Sequence, residues 1–293
     1  NLAMVLTEHL PELVSRLSDD ALDTFLRRGF SLWRESSEKA LSFFRLESRR
    51  GQMEIDALRQ SLPLASVRRI LQLYAQAHGG ARIRVQSLED LAPHLRPQGR
   101  SHAFTDGQTI YLPPEAHGFS SQEDNFRLFK AMTAIEAGRI EFGTFAYQTD
   151  ALPPEAPDRL MHGARALATT LDALSHPAVA RDLFTLLETF RIEQRIRREY
   201  PGLVTDLDRL TTEGLLNRPS PAELEPLPAV MEMLAQRLWG GQIRHGGGPP
   251  HLETCVRQLE PLARDLDTQT ARVEDSLERT RTGMTILQML LPA

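Results

Sequence analysis

Apolar residues along most of this 293-residue chain recur at three- and four-residue steps, the period of helices that bury one face. Leu2, Val5, Leu6, Leu10, Leu13, Val14 and Leu17 begin the pattern, and Ser18-Asp19-Asp20 offers a cap for the next helix, which runs through Phe25 to a stop at Gly29. A further helix carries Leu32, Trp33, Ala40, Phe43 and Phe44 towards Ser48, and Pro63 opens one over Leu64–Ala77, closed by Gly79-Gly80. The period then shortens to two. Ala81–Val85 alternates like a half-buried strand, Leu88–Ala92 suits one helical turn, and a loop follows around Pro93 and Pro97. In His102–Leu112, Asp106-Gly107 separates two alternating runs, the chemistry of a hairpin turn that needs positive φ. A sheet of about three strands is therefore expected here.

Helical spacing resumes over Gln122–Phe142, which Gly143 ends, and after the prolines 153, 154 and 157 it continues over Leu160–Leu174, Pro177–Tyr200, Thr205–Leu216, Ala222–Trp239, Leu252–Leu266 and Thr268–Leu291. The expected fold is mainly α with a small sheet: an N-terminal helical region (1–80), a core of sheet and long helices (81–240), and a C-terminal helical region (241–293) behind the glycine-rich stretch 240–250.

Composition narrows the function classes. A net charge of −5 and a pI near 6.0 lack the basic excess of a nucleic-acid binder. Arg195, Arg197 and Arg198 cluster, but Glu188, Glu193 and Glu199 lie among them, so a solvated, salt-bridged helix face is expected. Cys255 is the sole cysteine, which excludes an internal disulfide and suggests a half-buried, inert thiol in a reducing, cytoplasmic setting. No stretch approaches the roughly 18 apolar residues of a membrane span, and the first residues lack a leader pattern.

Neither lysine (Lys39, Lys130) follows a glycine as a phosphate-binding loop requires, and the 246–248 glycines lack dinucleotide-site spacing. The histidines are scattered, with none paired at i, i+4. The segment Ala134–Phe145 is the most informative. A helix after a small mixed sheet is where zinc peptidases place His-Glu-x-x-His, whose two imidazoles share one face while the glutamate deprotonates water. Here Glu136 keeps the acid position, but Ile135 and Arg139 occupy the ligand positions. Isoleucine has no lone pair and arginine stays protonated, so a zincin-like core without its metal motif is expected, with no cofactor in this chain. Glu188, Arg191 and Glu193 follow on a later helix, where a third ligand often sits. Two readings stay open. Glu136, Arg139, Glu141, Glu188, Arg191 and Glu193 form a polar pocket in which arginine replaces the cation, or they are ordinary ion pairs between helices.

Taken in order, Leu17–Leu22, Phe44–Ser48, Asp106–Pro113, Asn125–Met132, Ala137–Phe145, Leu187–Glu193 and Tyr200–Leu203 resemble the N-terminal region of the CbbO and NorD family. The resemblance implies an adaptor without catalysis of its own, partnered with a MoxR-type AAA+ hexamer that binds the ATP and magnesium. For the CbbO branch, which the Glu141–Phe145 segment favours, the motor is CbbQ-like and the client is Rubisco. For the NorD branch the client is nitric oxide reductase. Family members carry a C-terminal von Willebrand factor A domain with an Asp-x-Ser-x-Ser motif. That motif is not in this sequence, so the resemblance implies a fragment lacking the domain. A degenerate peptidase-like scaffold with some other binding role is the remaining alternative.

Overall fold

A computed structural model describes residues 2–17, 19–58, 61–80, 82–91, 103–116, 119, 121–150, 152–153, 159–216, 218–243 and 249–290. The described chain is mainly helical with small sheets, and divides into two compact units. The first comprises 1–66 and 115–127, the second 67–114 and 128–293. Several sequence expectations lie outside the described residues: the Ser18 cap, the loop around Pro93 and Pro97, the start of the hairpin at His102, Pro154 and Pro157, and the 246–248 glycines.

In the first unit α1 (Leu2–Arg16), α2 (Asp19–Glu35), α3 (Ser37–Phe44) and α4 (Arg49–Leu58) pack around Phe25, Phe43 and Phe44. The Phe25 and Phe43 rings stack at 4.6 Å between centroids, and Phe44 meets both edge-on. Gly29 does not stop α2, which continues to Glu35. It is a packing position: a Cβ there would lie 2.1 Å from the Phe44 ring, so only glycine lets the ring seat against the helix. A pair of two-residue strands, β1 (Leu62–Pro63) and the later β5 (Glu115–Ala116), runs antiparallel in this unit.

The second unit holds a three-stranded sheet of β2 (Arg84–Ser87), β3 (Phe104–Thr105) and β4 (Thr109–Leu112) in the order β2-β4-β3. The hairpin forms as its sequence predicts. Gly107 takes φ +91°, and the Asp106 carboxylate accepts from the Gln108 and Thr109 amides at 2.8 and 2.7 Å. β2 runs parallel to β4, Arg84 opposite Thr109, and begins three residues later than the alternation suggests.

The remaining helices are α5 (Leu64–Gly79), α6 (Gln122–Glu141), α7 (Arg159–Asp172), α8 (Pro177–Glu199), α9 (Val204–Leu216), α10 (Pro226–Gly240), α11 (Pro250–Arg264) and α12 (Val273–Leu290); the unit boundaries fall within α5 and α6. α8 is the hub. Leu183, Leu187 and Phe190 pack with Met233 and Leu234 of α10, Cys255 and Leu259 of α11, and Met284 of α12. Ile192 and Ile196 pack against Ala131 and Ala134 of α6. Gly138 sets the spacing of that crossing, because a Cβ there would lie 3.0 Å from both Ile192 and Ile196. Cys255 is fully buried rather than half-buried, and burial pushes its thiol up, away from the reactive thiolate. Among the described residues no helix is long and apolar enough to cross a membrane.

Candidate functional site

The six charged residues singled out by the sequence fall on two helices, α6 and α8, and the structure pairs Glu136 with Arg139, Glu188 with Arg191 and Glu193 with Arg197 within one helix each, while Glu141 is held from outside by Tyr200 and His78. The reason is spacing. Glutamate and arginine three or four residues apart share a helical face, so each finds its partner before any neighbouring helix supplies one.

Glu188 has a relative exposure of 0% and is the best-satisfied of the four carboxylates. Arg191 Nε and Nη2 donate to its two oxygens at 2.8 and 2.6 Å. Ser276 Oγ of α12 donates at 2.7 Å, and the Thr144 hydroxyl, from the 3-10 turn Thr144–Ala146 after α6, donates a further short bond. Burial alone would push this carboxyl up, but the Arg191 guanidinium with the two hydroxyls holds it below the usual range. Arg191 also donates to the Phe142 and Ala271 carbonyls at 3.1 and 3.0 Å. One ion pair thus ties α8 to the end of α6, the start of α12 and the connector between α11 and α12.

Glu136 is nearly as deep, at 6% exposure, but poorly partnered. Arg139 Nε lies 3.4 Å from its Oε1, and the Thr105 backbone amide of β3 supplies a further bond. Burial outweighs both and pushes this carboxyl up. Arg139 spends its reach elsewhere, donating through Nη2 to Thr189 Oγ1 of α8 at 2.5 Å. Thr189, next to Glu188 in sequence, thereby links α6 to α8 beside the second pair.

The remaining two residues diverge. Glu193 accepts from Arg197 Nε and Nη2 at 3.0 and 2.6 Å and from the Trp239 indole N–H. Glu141, at the end of α6, accepts from the Tyr200 hydroxyl at 2.5 Å and lies 3.8 Å from His78 Nδ1. Burial and the hydrogen bond to Glu141 raise Tyr200 to about 12, while burial lowers His78 against the pull of Glu141. The His78 ring sits edge-on to both Tyr74 and Tyr200, at 4.6 and 4.3 Å.

The basic cluster of α8 is a clamp as well as a salt-bridged face. Arg191, Arg195 and Arg198 donate respectively to the carbonyls of Ala271, Gln269 and Asp267, alternate residues of the α11–α12 connector. Of the face expected from charge pattern, Arg195, Arg197 and Arg198 are 25%, 20% and 37% exposed and pair with Glu199, Glu193 and Asp267, so it is salt-bridged but only partly solvated. Arginine suits this task because its fork offers donors to several carbonyls at once while remaining charged.

A cleft of about 530 Å³ opens where these features meet, bounded by Glu141 and the turn after α6, by Arg191 and Arg195, and by the connector. Thr144, Ser276, Tyr200, His78 and the connector carbonyls are the site residues that sequence reasoning missed. Hydroxyl and carbonyl partners carry no motif: Thr144 and Tyr200 stand in the family-like segments Ala137–Phe145 and Tyr200–Leu203, but nothing in either segment marks them as partners. Among the described residues no group of three or more histidine, cysteine, aspartate or glutamate side chains converges as a metal site would need. Comparison of the chain with protein-family models, curated proteins and solved structures finds no match.

Proposed function

We propose that this chain is an adaptor subunit of a MoxR-type AAA+ ATPase, of the CbbO type, coupling a CbbQ-like hexamer to Rubisco in the cytoplasm. The observation that carries this reading is the ordered run of family-like segments, Asp106–Pro113, Ala137–Phe145, Leu187–Glu193 and Tyr200–Leu203. Its support comes from what those segments do. Thr144 bonds Glu188, Tyr200 bonds Glu141, and Arg191 bonds Phe142, so residues far apart in sequence are held by one another. A body knit this way transmits force as a unit, which mechanical coupling demands. The chain would contribute an interface and no chemistry, with ATP and magnesium bound by the motor.

The test is co-elution of the chain with a MoxR-type hexamer at micromolar concentration, together with the hexamer's ATPase rate. Stable association with a changed rate is expected, and no association at all overturns the reading. Rubisco genes beside this one support the CbbO branch; nitric oxide reductase genes transfer the proposal to the NorD branch.

A second reading has its own observation in favour. Glu136 stands at the acid position of a peptidase helix and is bonded to a sheet strand through the Thr105 amide, as a zincin-like core that has lost its metal would retain it. Elemental analysis finding less than stoichiometric zinc is expected. Stoichiometric zinc beside Glu136 would replace both readings with a metal enzyme.

A further inference from the structure

We propose that the cleft between α8, the end of α6 and the α11–α12 connector binds a small zwitterion, a molecule of amino-acid type carrying a carboxylate and an ammonium group. The size is suitable, since small-molecule sites span roughly 300–1,000 Å³ and this cleft measures about 530 Å³. Its walls carry opposite signs. The α8 wall presents Arg191 and Arg195, and the wall formed by the end of α6 and the following turns presents Glu141 and Asp150. The connector adds Arg272 and the first turn of α12 adds Glu274, one charge of each sign.

Both guanidinium groups have donors left for a ligand. Arg191 uses four of its five N–H groups on Glu188, Phe142 and Ala271, leaving one on Nη1. Arg195 Nε is shielded from solvent and lies 3.2 Å from the Glu199 carboxylate. With Nε paired to Glu199, the Nη2 amino group and the Nη1 N–H not spent on Gln269 are, among the described residues, the donors a bound carboxylate would take up. The Arg195 guanidinium is also fixed over the Phe142 ring, 5.5 Å from its centroid, so its orientation is set before any ligand arrives.

On the acidic wall Glu141 is held by Tyr200 and His78 with carboxylate lone pairs to spare, and Asp150 forms no ion pair among the described residues. A simple anion would gain the arginines but face Glu141, Asp150 and Glu274. A simple cation would meet the reverse. A zwitterion is attracted by both walls, and this favours it over either. The inference stands apart from the adaptor reading, since it rests on one cleft and needs no motor.

The test is a melting-temperature screen of the whole chain against the twenty L-amino acids singly, at about 10 mM, above the millimolar dissociation constant of a weak site. Inorganic phosphate and ethylamine serve as single-charge controls. At least one amino acid is expected to raise the melting temperature by a few degrees, and neither control to do so. The N-acetyl and methyl-ester derivatives of that amino acid, each missing one charge, should bind about tenfold more weakly or worse by titration calorimetry. Arg195→Gln should weaken it similarly. Because Arg195 also holds the connector, the exposed pair Asp150→Asn and Arg272→Gln provides variants that leave the clamp intact, and Asp150→Asn should lose affinity as well. No stabilising amino acid, equal stabilisation by phosphate, or a hit indifferent to Arg195→Gln and Asp150→Asn would each overturn the proposal.

Discussion

Arg139 stands three positions after Glu136, and Arg191 three after Glu188, so each pair lies along one face of its helix. Both carboxylates are buried, at 6% and 0% exposure, and both have a permanent cation beside them. They nevertheless shift in opposite directions: burial wins at Glu136 and hydrogen bonding wins at Glu188. The difference lies in how many lone pairs are filled. Glu188 accepts four hydrogen bonds from Arg191, Thr144 and Ser276, whereas Glu136 has a single long contact with its arginine and one backbone amide. A neighbouring charge therefore does not by itself make a buried carboxylate stable. The guanidinium must face it squarely and other donors must fill what remains.

The strongest way to break this comparison is to remove the arginine from the saturated pair. Arg191→Met keeps the bulk but strips Glu188 of two charged bonds and frees the Phe142 and Ala271 carbonyls. A loss of about 3–5 kcal/mol is expected, the cost of leaving a buried charge unpaired. Urea unfolding of wild type and variant measures it. A variant within about 1 kcal/mol of wild type would mean that the hydroxyls alone suffice.

Arg139→Met is the matched change at the thin pair, and a smaller loss of about 1–3 kcal/mol is expected. The arginine gives up a 3.4 Å contact and the bond to Thr189, and Glu136 can take up a proton in response. Equal losses in the two variants, in the same unfolding assay, would show that burial outweighs bond count. The contrast would then be void.

Much of the architecture behind this contrast is legible in the sequence. α6 and α8 end within a residue of where their punctuation places them, because Gly143 and Pro201 cannot continue a helix and Pro177 readily begins one. α4 was not separated from its surroundings. Among its described apolar side chains Ile55 is deeply buried and Met53 faces solvent, so no period marks it. β1 and β5 are two residues each, too short to alternate, and their pairing is non-local. The types of site residue were legible and their partners were not. Thr144 and Ser276 are chosen by position in the fold, and nothing local distinguishes them from other hydroxyls. Even so, Gly138 within Ala137–Phe145 shows the limit from the other side: its place in the segment is plain, while its meaning, a close approach to Ile192 and Ile196, exists only in three dimensions.

The finest probe of the comparison is pH, because the two pairs should pull stability in opposite directions. Glu136 has its folded pKa raised above the ordinary 4.5, so it contributes stability at low pH, and that contribution is lost as pH rises through the raised value. Glu188 has its folded pKa lowered, so its contribution is present above the ordinary value and is lost as pH falls through the lowered one. Glutamine cannot titrate, so each substitution removes one slope. Unfolding free energies at about pH 4 and about pH 8 separate them, two points on either side of the ordinary glutamate value. Glu136→Gln should gain on wild type from the lower pH to the higher, and Glu188→Gln should fall further behind. Parallel profiles in the two variants would mean that the carboxylates share one environment, and the distinction drawn from their hydrogen bonds would fall with it.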